Sequence, residues 1–334
     1  MSARIALEVR RERFPIAGTF RIARGARTVS EVLAVTLRRA GASGRGECLP
    51  YARYGETLDS VEAEIRSVAD ALGAGTLDRE ALQGRLPPGA ARNALDCALW
   101  DLEAKTRGEP AWRLAGLSAP GPVTTAYTLS IDAPQAMRAA ARSATDRPLL
   151  KVKLGGEGGA GADLERLAAV RDGAPRARLI VDANEGWSIE DYRAVAPRLA
   201  GLGVELVEQP LPAGEDAALA GAERAVRTCA DESCHDRASL DAIGDRYDVV
   251  NVKLDKTGGL TEALALVAEA RSRGLGVMVG CMVGSSLAMA PAVLVAQLAD
   301  TVDLDAPLLL AADREHALRY EGSVAYPAEP ALWG

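Results

Sequence analysis

Residues 149–183 have the sequence LLKVKLGGEGGAGADLERLAAVRDGAPRARLIVDA. The stretch begins with an apolar run, Leu149–Leu154, and ends with a second one, Leu179–Ala183. Between them, Ala162–Asp172 has apolar residues at helical spacing. Short apolar runs predict buried strands, and the spacing of the middle segment predicts an amphipathic helix. The stretch therefore predicts one strand–helix–strand unit.

The same alternation continues on both sides of this unit. Eight apolar runs follow one another, most of them separated by a helical segment: Thr124–Leu129, Leu149–Leu154, Leu179–Ala183, Val204–Glu208, Thr228–Asp231, Val249–Leu254, Val277–Gly280 and Val302–Asp305. Eight strands that alternate with helices indicate an α/β fold of the (β/α)8-type, a barrel or modified TIM barrel, rather than a doubly wound sheet.

The first third of the chain has a different order of elements. Strand-like runs at Ile5–Val9 and Val32–Leu37 flank a polar stretch, Gly18–Arg27, that we predict to be a mobile loop. Helical patterns follow at Leu58–Leu72 and Ala90–Thr106. Strands followed by helices indicate a separate α+β domain.

These patterns divide the chain into three parts. We predict an α+β domain at residues 1–117 and the barrel at residues 118–312. The remaining residues, 313–334, lack the strand–helix rhythm, and we expect them to return to the first domain.

Composition excludes several classes of protein. The net charge is -7 and the acidic residues are spread along the chain, whereas nucleic-acid binding needs a basic patch. No segment approaches the roughly 20 apolar residues of a membrane span, and Met1–Pro15 lacks the apolar region of a signal peptide. The five cysteines are odd in number and form no CxxC pair, which favours a reducing compartment. We expect a cytoplasmic protein.

Charged residues recur where the predicted strands end. In chain order they are Lys151 and Lys153, Asp182, Glu208, Asp231, Lys253, and the pair Asp303 and Asp305. The carboxyl ends of barrel strands meet at one end of the barrel, where barrel enzymes have their active sites. A single charge at a strand end is usually an exit into solvent, but six sites in register indicate a catalytic centre.

Three of these residues suit a metal ion. Asp182, Glu208 and Asp231 would repel one another unless a cation compensates their charge. Oxygen ligands of this kind favour Mg2+ over zinc. A bound Mg2+ can also hold a substrate carboxylate and stabilise the charge that develops when the neighbouring proton is removed.

The two lysines Lys153 and Lys253 suit proton transfer. They end the second and sixth predicted strands and so stand across the barrel from each other. Proximity to a cation and partial burial can lower the pKa of a lysine from about 10.4 to roughly 7–8, where it acts as a base. One lysine would remove the proton on one face and the other would return a proton on the opposite face, which inverts the carbon.

The order Lys151-x-Lys153, Asp182-x-Asn184, Glu208-Gln209-Pro210, Asp231-Glu232 and Lys253 resembles the enolase superfamily in its muconate-lactonizing-enzyme subgroup, and within it the dipeptide epimerases. The superfamily is itself an example of a lysine or histidine base that works with Mg2+. The resemblance implies a capping domain with substrate-closing loops before the barrel. It also implies epimerisation of a dipeptide, with L-Ala-D/L-Glu from murein peptides as the implied substrate, through an enediolate.

The resemblance also assigns residues to substrate binding. Asp303-x-Asp305 is similar to the pair that binds the α-ammonium of a dipeptide, and Arg24 to an arginine that contacts the glutamate side chain. Lys151 either helps to keep Lys153 neutral or contacts the substrate carboxylate. Lys256 is interpreted as solvent-facing or as a packing residue, without a role.

Other activities stay open at this point. Another dipeptide specificity, racemisation of N-acylamino acids and o-succinylbenzoate synthesis would use the same metal and lysines. The substrates of the last two lack the free ammonium that Asp303 and Asp305 would bind. A non-catalytic barrel is the alternative outside enzymes, and assembly into a homo-oligomer is left open.

Overall fold

The N-terminal sheet is built on one long hairpin. The computed structural model describes residues 4–334, so the first three residues of the predicted N-terminal domain and of Met1–Pro15 lie outside the described residues. The antiparallel sheet has the order β1 (Ala6–Ile22), β2 (Gly25–Arg39), β3 (Ala42–Cys48). Much of Gly18–Arg27 is therefore paired strand instead of the loop that we predicted, because backbone groups pair even where the side chains are polar.

The hairpin extends from the first domain over the mouth of the barrel. Its register breaks between Pro15 and Phe20, and at this break the amide of Ala311 donates to the carbonyl oxygen of Pro15 at 2.8 Å. Near the tip, the amide of Ile131 donates to the carbonyl oxygen of Arg21 at 3.1 Å. The hairpin is therefore held at two places by residues of the barrel.

Five helices follow the sheet. They are α1 (Leu58–Ser67), α2 (Ala69–Ala74), α3 (Arg79–Arg85), α4 (Ala90–Arg107) and α5 (Ala111–Leu114). Helix α4 packs so closely on β3 that a Cβ atom on Gly46 would lie 2.1 Å from the carbonyl oxygen of Ala94. Only glycine allows this approach, which brings the helix against the sheet.

The remaining strands and helices build the barrel and a small sheet beside it. The strands are β4 (Val123–Thr124), β5 (Tyr127–Leu129), β6 (Leu149–Lys153), β7 (Arg178–Asp182), β8 (Val204–Glu208), β9 (Arg227–Ala230), β10 (Val249–Val252), β11 (Gly276–Val279), β12 (Thr301–Val302), β13 (Tyr320–Glu321) and β14 (Val324–Ala325). The helices are α6 (Pro134–Ser143), α7 (Gly159–Gly173), α8 (Ile189–Gly201), α9 (Leu240–Ile243), α10 (Leu254–Thr257), α11 (Leu260–Ser272), α12 (Ser286–Ala296) and α13 (Ala306–Leu309).

Strands β5 to β12 form one parallel sheet in chain order. The sheet closes between its first and last strands through a 2.8 Å hydrogen bond from the amide of Ala126 to the carbonyl oxygen of Val302. The predicted (β/α)8-type barrel with an N-terminal α+β domain is confirmed. The last predicted strand, Val302–Asp305, is wrong in extent, because β12 ends at Val302 and α13 begins at Ala306.

The interior of the barrel has an apolar layer below a charged one. One residue within or directly before each of seven strands contributes to a buried cluster: Ala126, Leu149, Ile180, Leu206, Cys229, Val249 and Met278. Side chains alternate along a strand, so the residue two positions later points to the same side. In β6, β7 and β8 these positions hold Lys151, Asp182 and Glu208. The alternation therefore places the charged residues above the apolar layer.

The last residues contact the first domain. The indole nitrogen of Trp333 donates to the carbonyl oxygen of Cys97 at 2.9 Å, and the amide of Gly334 donates to Asp101 at 2.7 Å. These contacts support our division at residues 117 and 312, which stays a prediction. Within residues 4–334, no helix combines the length and the apolar character needed to cross a membrane.

Candidate active site

Three neighbouring strands bring their last residues to one level. In the parallel register Lys153 is paired with Asp182, and Asp182 with Glu208. All three side chains are buried at the carboxyl end of the barrel. Asp231 follows directly after β9, and Lys253 directly after β10. The structure therefore brings together the five residues that we predicted to hold the metal and to transfer protons.

Ammonium groups lie between the carboxylates. Lys153 Nζ lies 2.6 Å from Asp182 Oδ2, and Lys253 Nζ lies 2.7 Å from Asp231 Oδ2. Lys151 Nζ lies 2.6 Å from Glu208 Oε2. Each buried charge thus has at least one partner of opposite sign, which a buried ion needs.

The neighbouring charges shift the pKa values of these groups. Burial favours the neutral form of Asp182, but Lys153 and Lys151 outweigh it and lower the pKa of Asp182 to about 2. Burial also acts to lower the pKa of Lys253, but the carboxylates of Asp231 and Glu208 raise it well above its usual value. We had expected a lowered lysine pKa. That expectation applies to a lysine beside a bound cation, which would offset the charge of Asp231 and Glu208, and it stays a prediction.

Two further residues, to which the sequence analysis gives no role, position the carboxylates. Asn251 lies two residues before Lys253 on β10, and its Nδ2 donates to Glu208 Oε1 at 2.8 Å. Gln209 accepts a hydrogen bond from the amide of Asp231 at 2.9 Å through its side-chain oxygen. Strand alternation could have identified Asn251, because it shares the face of Lys253. The role of Gln209 depends on a loop contact that no local pattern shows.

The backbone is strained beside the carboxylates. Asn184 has a φ of 47° and Gln209 a φ of 34°, in the left-handed region that residues other than glycine rarely adopt. Asn184 follows β7 and Gln209 follows β8, next to Asp182 and Glu208. Such strain persists only where surrounding contacts hold it, and it is typical of functional sites.

Lys256 is not solvent-facing. Its ammonium is fully buried and lies 2.6 Å from Asp231 Oδ1, and it also donates to the carbonyl oxygen of Asn251 at 2.9 Å. Helix α10 starts directly after Lys253 and turns Lys256 back toward the barrel. The three-residue spacing from Lys253 was a helical signal that we did not use. Asp231 is thus held between two lysines.

The two aspartates after β12 do not share a strand face, because the strand has already ended. Asp303 Oδ2 lies 2.7 Å from Lys151 Nζ, and Asp305 Oδ2 accepts a hydrogen bond from the amide of Thr128 at 2.6 Å. Burial, together with the nearby Asp303, raises the pKa of Asp305 to about 7. Both aspartates lie at the carboxyl end of the barrel, but they point to different partners.

A cavity of about 190 Å³ lies between the charged layer and the hairpin. Lys153, Lys253 and Asp231 line its floor, and residues of the hairpin tip line its roof. Arg24 at that tip lies 2.6 Å from Glu232 Oε1. Arg24 therefore reaches the site, but its closest partner is a residue of the protein.

The donor set fits a divalent cation. Lysine ammonium groups lie between the carboxylates. Among residues 4–334, no group of three acidic, histidine or cysteine side chains has, as it stands, the arrangement that holds a metal ion. The buried carboxylate oxygen Glu232 Oε2 accepts no hydrogen bond, and Glu208 Oε2 lies 2.6 Å from the Lys151 ammonium without the geometry of a hydrogen bond. Buried oxygens of this kind need a partner, and hard oxygen donors suit Mg2+. Asp182, Glu208 and Asp231 are the residues that would hold it.

Comparisons with known proteins cover almost the whole chain. Residues 4–116 match the N-terminal domain of mandelate racemase / muconate lactonizing enzyme, and residues 136–327 match the enolase C-terminal domain-like family. The chain is 48% identical over 316 residues to an L-Ala-D/L-Glu epimerase of Escherichia coli, covering 94% of this chain and 97% of that protein. It is 45% identical to an N-acetyl-D-glutamate racemase of a Pseudoalteromonas species, covering 87% and 91%.

Solved structures also superpose on almost the whole chain. An enolase family member from Agrobacterium tumefaciens, with bound sodium, L-Ala-L-Glu and an ordered loop, superposes with a TM-score of 0.95 at 52% identity, covering 99% of this chain and 100% of that one. A dipeptide epimerase from Enterococcus faecalis, complexed with Mg and L-Leu-L-Tyr, superposes with a TM-score of 0.90 at 27% identity, covering 98% of each chain. This chain belongs to the mandelate racemase / muconate lactonizing enzyme family of the enolase superfamily.

Proposed function

We propose that this protein is a Mg2+-dependent epimerase that inverts the α-carbon of the C-terminal residue of a dipeptide. The observation that carries the proposal is the placement of Lys153 and Lys253 in one cavity. Lys153 ends β6 and Lys253 directly follows β10, and these strands are four places apart in an eight-stranded barrel, so the two lysines reach the cavity from opposite sides. When bound by Asp182, Glu208 and Asp231, Mg2+ supplies a Lewis acid that stabilises negative charge on a substrate carboxylate.

The two lysines exchange roles with the direction of the reaction. For one epimer, the neutral amine of Lys153 removes the α-proton while the ammonium of Lys253 donates a proton to the other face. For the other epimer, Lys253 is the base and Lys153 the acid. Each lysine must reach the α-carbon directly, since general acid–base catalysis requires hydrogen-bonding distance to the transferred proton.

We propose L-Ala-D/L-Glu as the substrate. Identity of 48% with the Escherichia coli epimerase over nearly the full length of both proteins supports this choice. In our proposal Asp303 and Asp305 bind the α-ammonium by charge-assisted hydrogen bonds, which are the stronger kind, and Lys151 contacts the substrate carboxylate or keeps Lys153 neutral. We also propose murein peptide recycling in the cytoplasm as the setting, which five cysteines without a disulfide support.

Deuterium incorporation tests the proposal. The protein is incubated with Mg2+ and L-Ala-L-Glu in heavy water, and mass spectrometry and a chiral separation follow the α-position. We expect one deuterium per molecule together with formation of L-Ala-D-Glu. The same reaction with EDTA should show neither. If neither product forms with any dipeptide in the presence of Mg2+, the proposal is wrong.

Racemisation of N-acylamino acids is a second candidate. Asp303 Oδ2 already has Lys151 as a partner and Asp305 Oδ2 has the Thr128 amide, so these two oxygens are not free for a substrate ammonium, whereas the buried Asp303 Oδ1 accepts no hydrogen bond. The 45% identity with an N-acetyl-D-glutamate racemase supports this second candidate. Direct competition between L-Ala-L-Glu and N-acetyl-L-glutamate separates the two candidates. We expect the larger kcat/KM for the dipeptide.

A further inference from the structure

The side chain of Gln209 connects two of the carboxylates that would hold Mg2+. Gln209 follows Glu208 directly in the chain, and its side-chain oxygen accepts hydrogen bonds from the amides of Asp231 at 2.9 Å and of Ser233 at 3.1 Å. The side chain is fully buried, and the backbone φ of the residue is 34°. The orientation of this side-chain amide therefore ties the end of β8 to the segment that carries Asp231.

The nitrogen of the same amide faces two hydroxyl groups. Gln209 Nε2 lies 2.9 Å from Ser233 Oγ and 2.9 Å from the hydroxyl oxygen of Tyr247. It also donates to the carbonyl oxygen of Leu211 at 2.8 Å. A hydroxyl group can either donate or accept, so a hydroxyl by itself would fit either end of the amide. The two hydroxyls accept from Gln209 only if their own hydrogens point away from it.

Asp216 sets the direction of both hydroxyl groups. An ionised carboxylate can only accept, and Asp216 Oδ2 accepts from Ser233 Oγ at 2.6 Å and from the Tyr247 hydroxyl at 2.8 Å. Because each hydroxyl has one hydrogen, a hydroxyl that donates to Asp216 presents a lone pair to Gln209. Asp216 is itself buried, and the guanidinium of Arg246 lies 3.0 Å from its other oxygen. The arginine supplies the partner that a buried carboxylate needs.

We propose that Asp216 is a positioning residue for the metal centre. Through the two hydroxyl groups it orients the amide of Gln209, and this amide holds Asp231 beside Glu208 in the arrangement that binds Mg2+. The inference rests on the proposed Mg2+-dependent activity, and it concerns a residue that does not line the cavity. Replacing a residue that supports a metal ligand typically lowers metal affinity or activity by about 10- to 100-fold.

Binding of Mg2+ in the absence of substrate tests the inference. Isothermal titration calorimetry measures the Kd for Mg2+, and urea denaturation measures the free energy of unfolding of the same variants. Asp216→Asn keeps the shape of the side chain but leaves it one oxygen, which cannot accept from Arg246 and from both hydroxyls at once. We expect this variant to raise the Kd by about tenfold or more.

A second variant removes one hydroxyl without a change of charge. Tyr247→Phe should raise the Kd by about three- to tenfold, as for one lost hydrogen bond. Residues that act on a common partner have non-additive effects, so the double variant should have the Kd of Asp216→Asn alone to within about twofold. A Kd raised by the product of the two single effects would overturn the inference. If Asp216→Asn does not fold, an unchanged Kd in Tyr247→Phe would overturn it as well.

Asp101→Asn is the matched control. Asp101 is a buried carboxylate of the first domain that lies 2.8 Å from the Lys105 ammonium and accepts from the amides of Arg45 and Gly334. We expect its replacement to lower the free energy of unfolding and to leave the Kd for Mg2+ unchanged. An unchanged Kd in Asp216→Asn, or an equal rise in Asp101→Asn, would overturn the inference.

Failure of the epimerase proposal would look different. In that case the unmodified protein would still bind Mg2+, and Asp216→Asn would still weaken that binding, but L-Ala-L-Glu would incorporate no deuterium. An unmodified protein that binds no Mg2+ would overturn the inference itself, because no metal centre would then be positioned.

Discussion

At the scale of single residues, Lys153 and Lys253 reach the cavity from opposite sides, which predicts that removing each one affects the two epimers differently. Lys153 is paired with Asp182 alone, whereas Lys253 lies near both Asp231 and Glu208. We expect Lys153→Ala and Lys253→Ala each to lower the epimerisation rate by about 10²- to 10⁴-fold, as for loss of a general acid–base group. Each variant should still exchange the α-proton of one epimer, and the two variants should differ in which epimer that is.

The measurement is deuterium exchange of L-Ala-L-Glu and L-Ala-D-Glu, each followed separately by NMR. Lys105→Ala on α4 is a suitable control, because Lys105 pairs with Asp101 far from the cavity. Epimerisation at the unmodified rate in either variant would show that the assigned pair of bases is wrong.

Lys256 also carries a prediction at this scale. Lys256→Met leaves Asp231 with one lysine fewer in a fully buried position, and loss of one partner of a buried ion pair costs about 3–5 kcal/mol. Mg2+ would bind the same carboxylate and offset part of that cost. We therefore expect Mg2+ to raise the free energy of unfolding more in the variant than in the unmodified protein. Chemical denaturation with and without Mg2+ measures this difference, and equal Mg2+ effects in the two proteins would contradict it.

At the scale of secondary structure elements, Asp96 on α4 holds the start of α11. Its carboxylate accepts hydrogen bonds from the amide of Thr261 at 2.9 Å and from the Thr261 hydroxyl at 2.7 Å. Burial raises the pKa of Asp96 to about 6. The residue thus fixes a barrel helix to the first domain, although ionisation of its carboxyl group is unfavourable in the folded protein.

This pKa shift makes stability depend on pH. The carboxyl group of an aspartate in an unfolded chain has a pKa of about 3.9. The folded state therefore binds the proton more tightly than the unfolded state, and the protein loses stability as pH rises from about 4 to about 6. The loss amounts to about 3 kcal/mol at neutral pH, at roughly 1.4 kcal/mol per pH unit. We expect the difference in free energy of unfolding between the unmodified protein and Asp96→Asn to shift by about 2 kcal/mol between pH 4 and pH 7, because the unfolded carboxyl group is already about half ionised at pH 4. The exposed-site variant Asp70→Asn should show no such shift.

The elements also show what sequence patterns can predict. Period-two alternation placed Asp182, Glu208 and Lys253 correctly, because both the apolar layer and the charged layer are encoded within single strands. The polar end of the hairpin and the burial of Lys256 were not predicted. Hairpin pairing there depends on backbone groups of two adjacent strands, which the polar side chains do not signal, and Lys256 is buried because α10 turns back over Asp231.

At the scale of the whole molecule, Arg314 joins three separate parts of the chain. Its guanidinium lies 2.6 Å from Glu47 on β3, and Glu47 also accepts a hydrogen bond from the amide of Ser285 before α12 at 2.7 Å. Glu47 is fully buried, so its charge depends on these partners. The contact links the first domain, the barrel and the C-terminal segment.

We expect Arg314→Met to lower the free energy of unfolding by about 3–5 kcal/mol, because it leaves the Glu47 carboxylate buried and uncompensated. Arg314→Met combined with Glu47→Gln should recover a large part of this loss, since the neutral amide needs no cation. Urea denaturation of the two variants measures the effect. A double variant as unstable as the single one would show that Arg314 stabilises the protein by packing and not by charge.

The two places at which the barrel holds the hairpin define a lever. Its fulcrum is the register break beside Pro15, where the amide of Ala311 holds the strand, and its arm extends to the tip at Ile22. Seven residues of strand at about 3.3 Å each make an arm of about 23 Å. A rotation of about 10° at the fulcrum therefore displaces the tip by about 4 Å, more than the roughly 3 Å length of a hydrogen bond. Such a rotation would break the contacts made by Arg21 and Arg24 together and would open the cavity without any separation of the two domains.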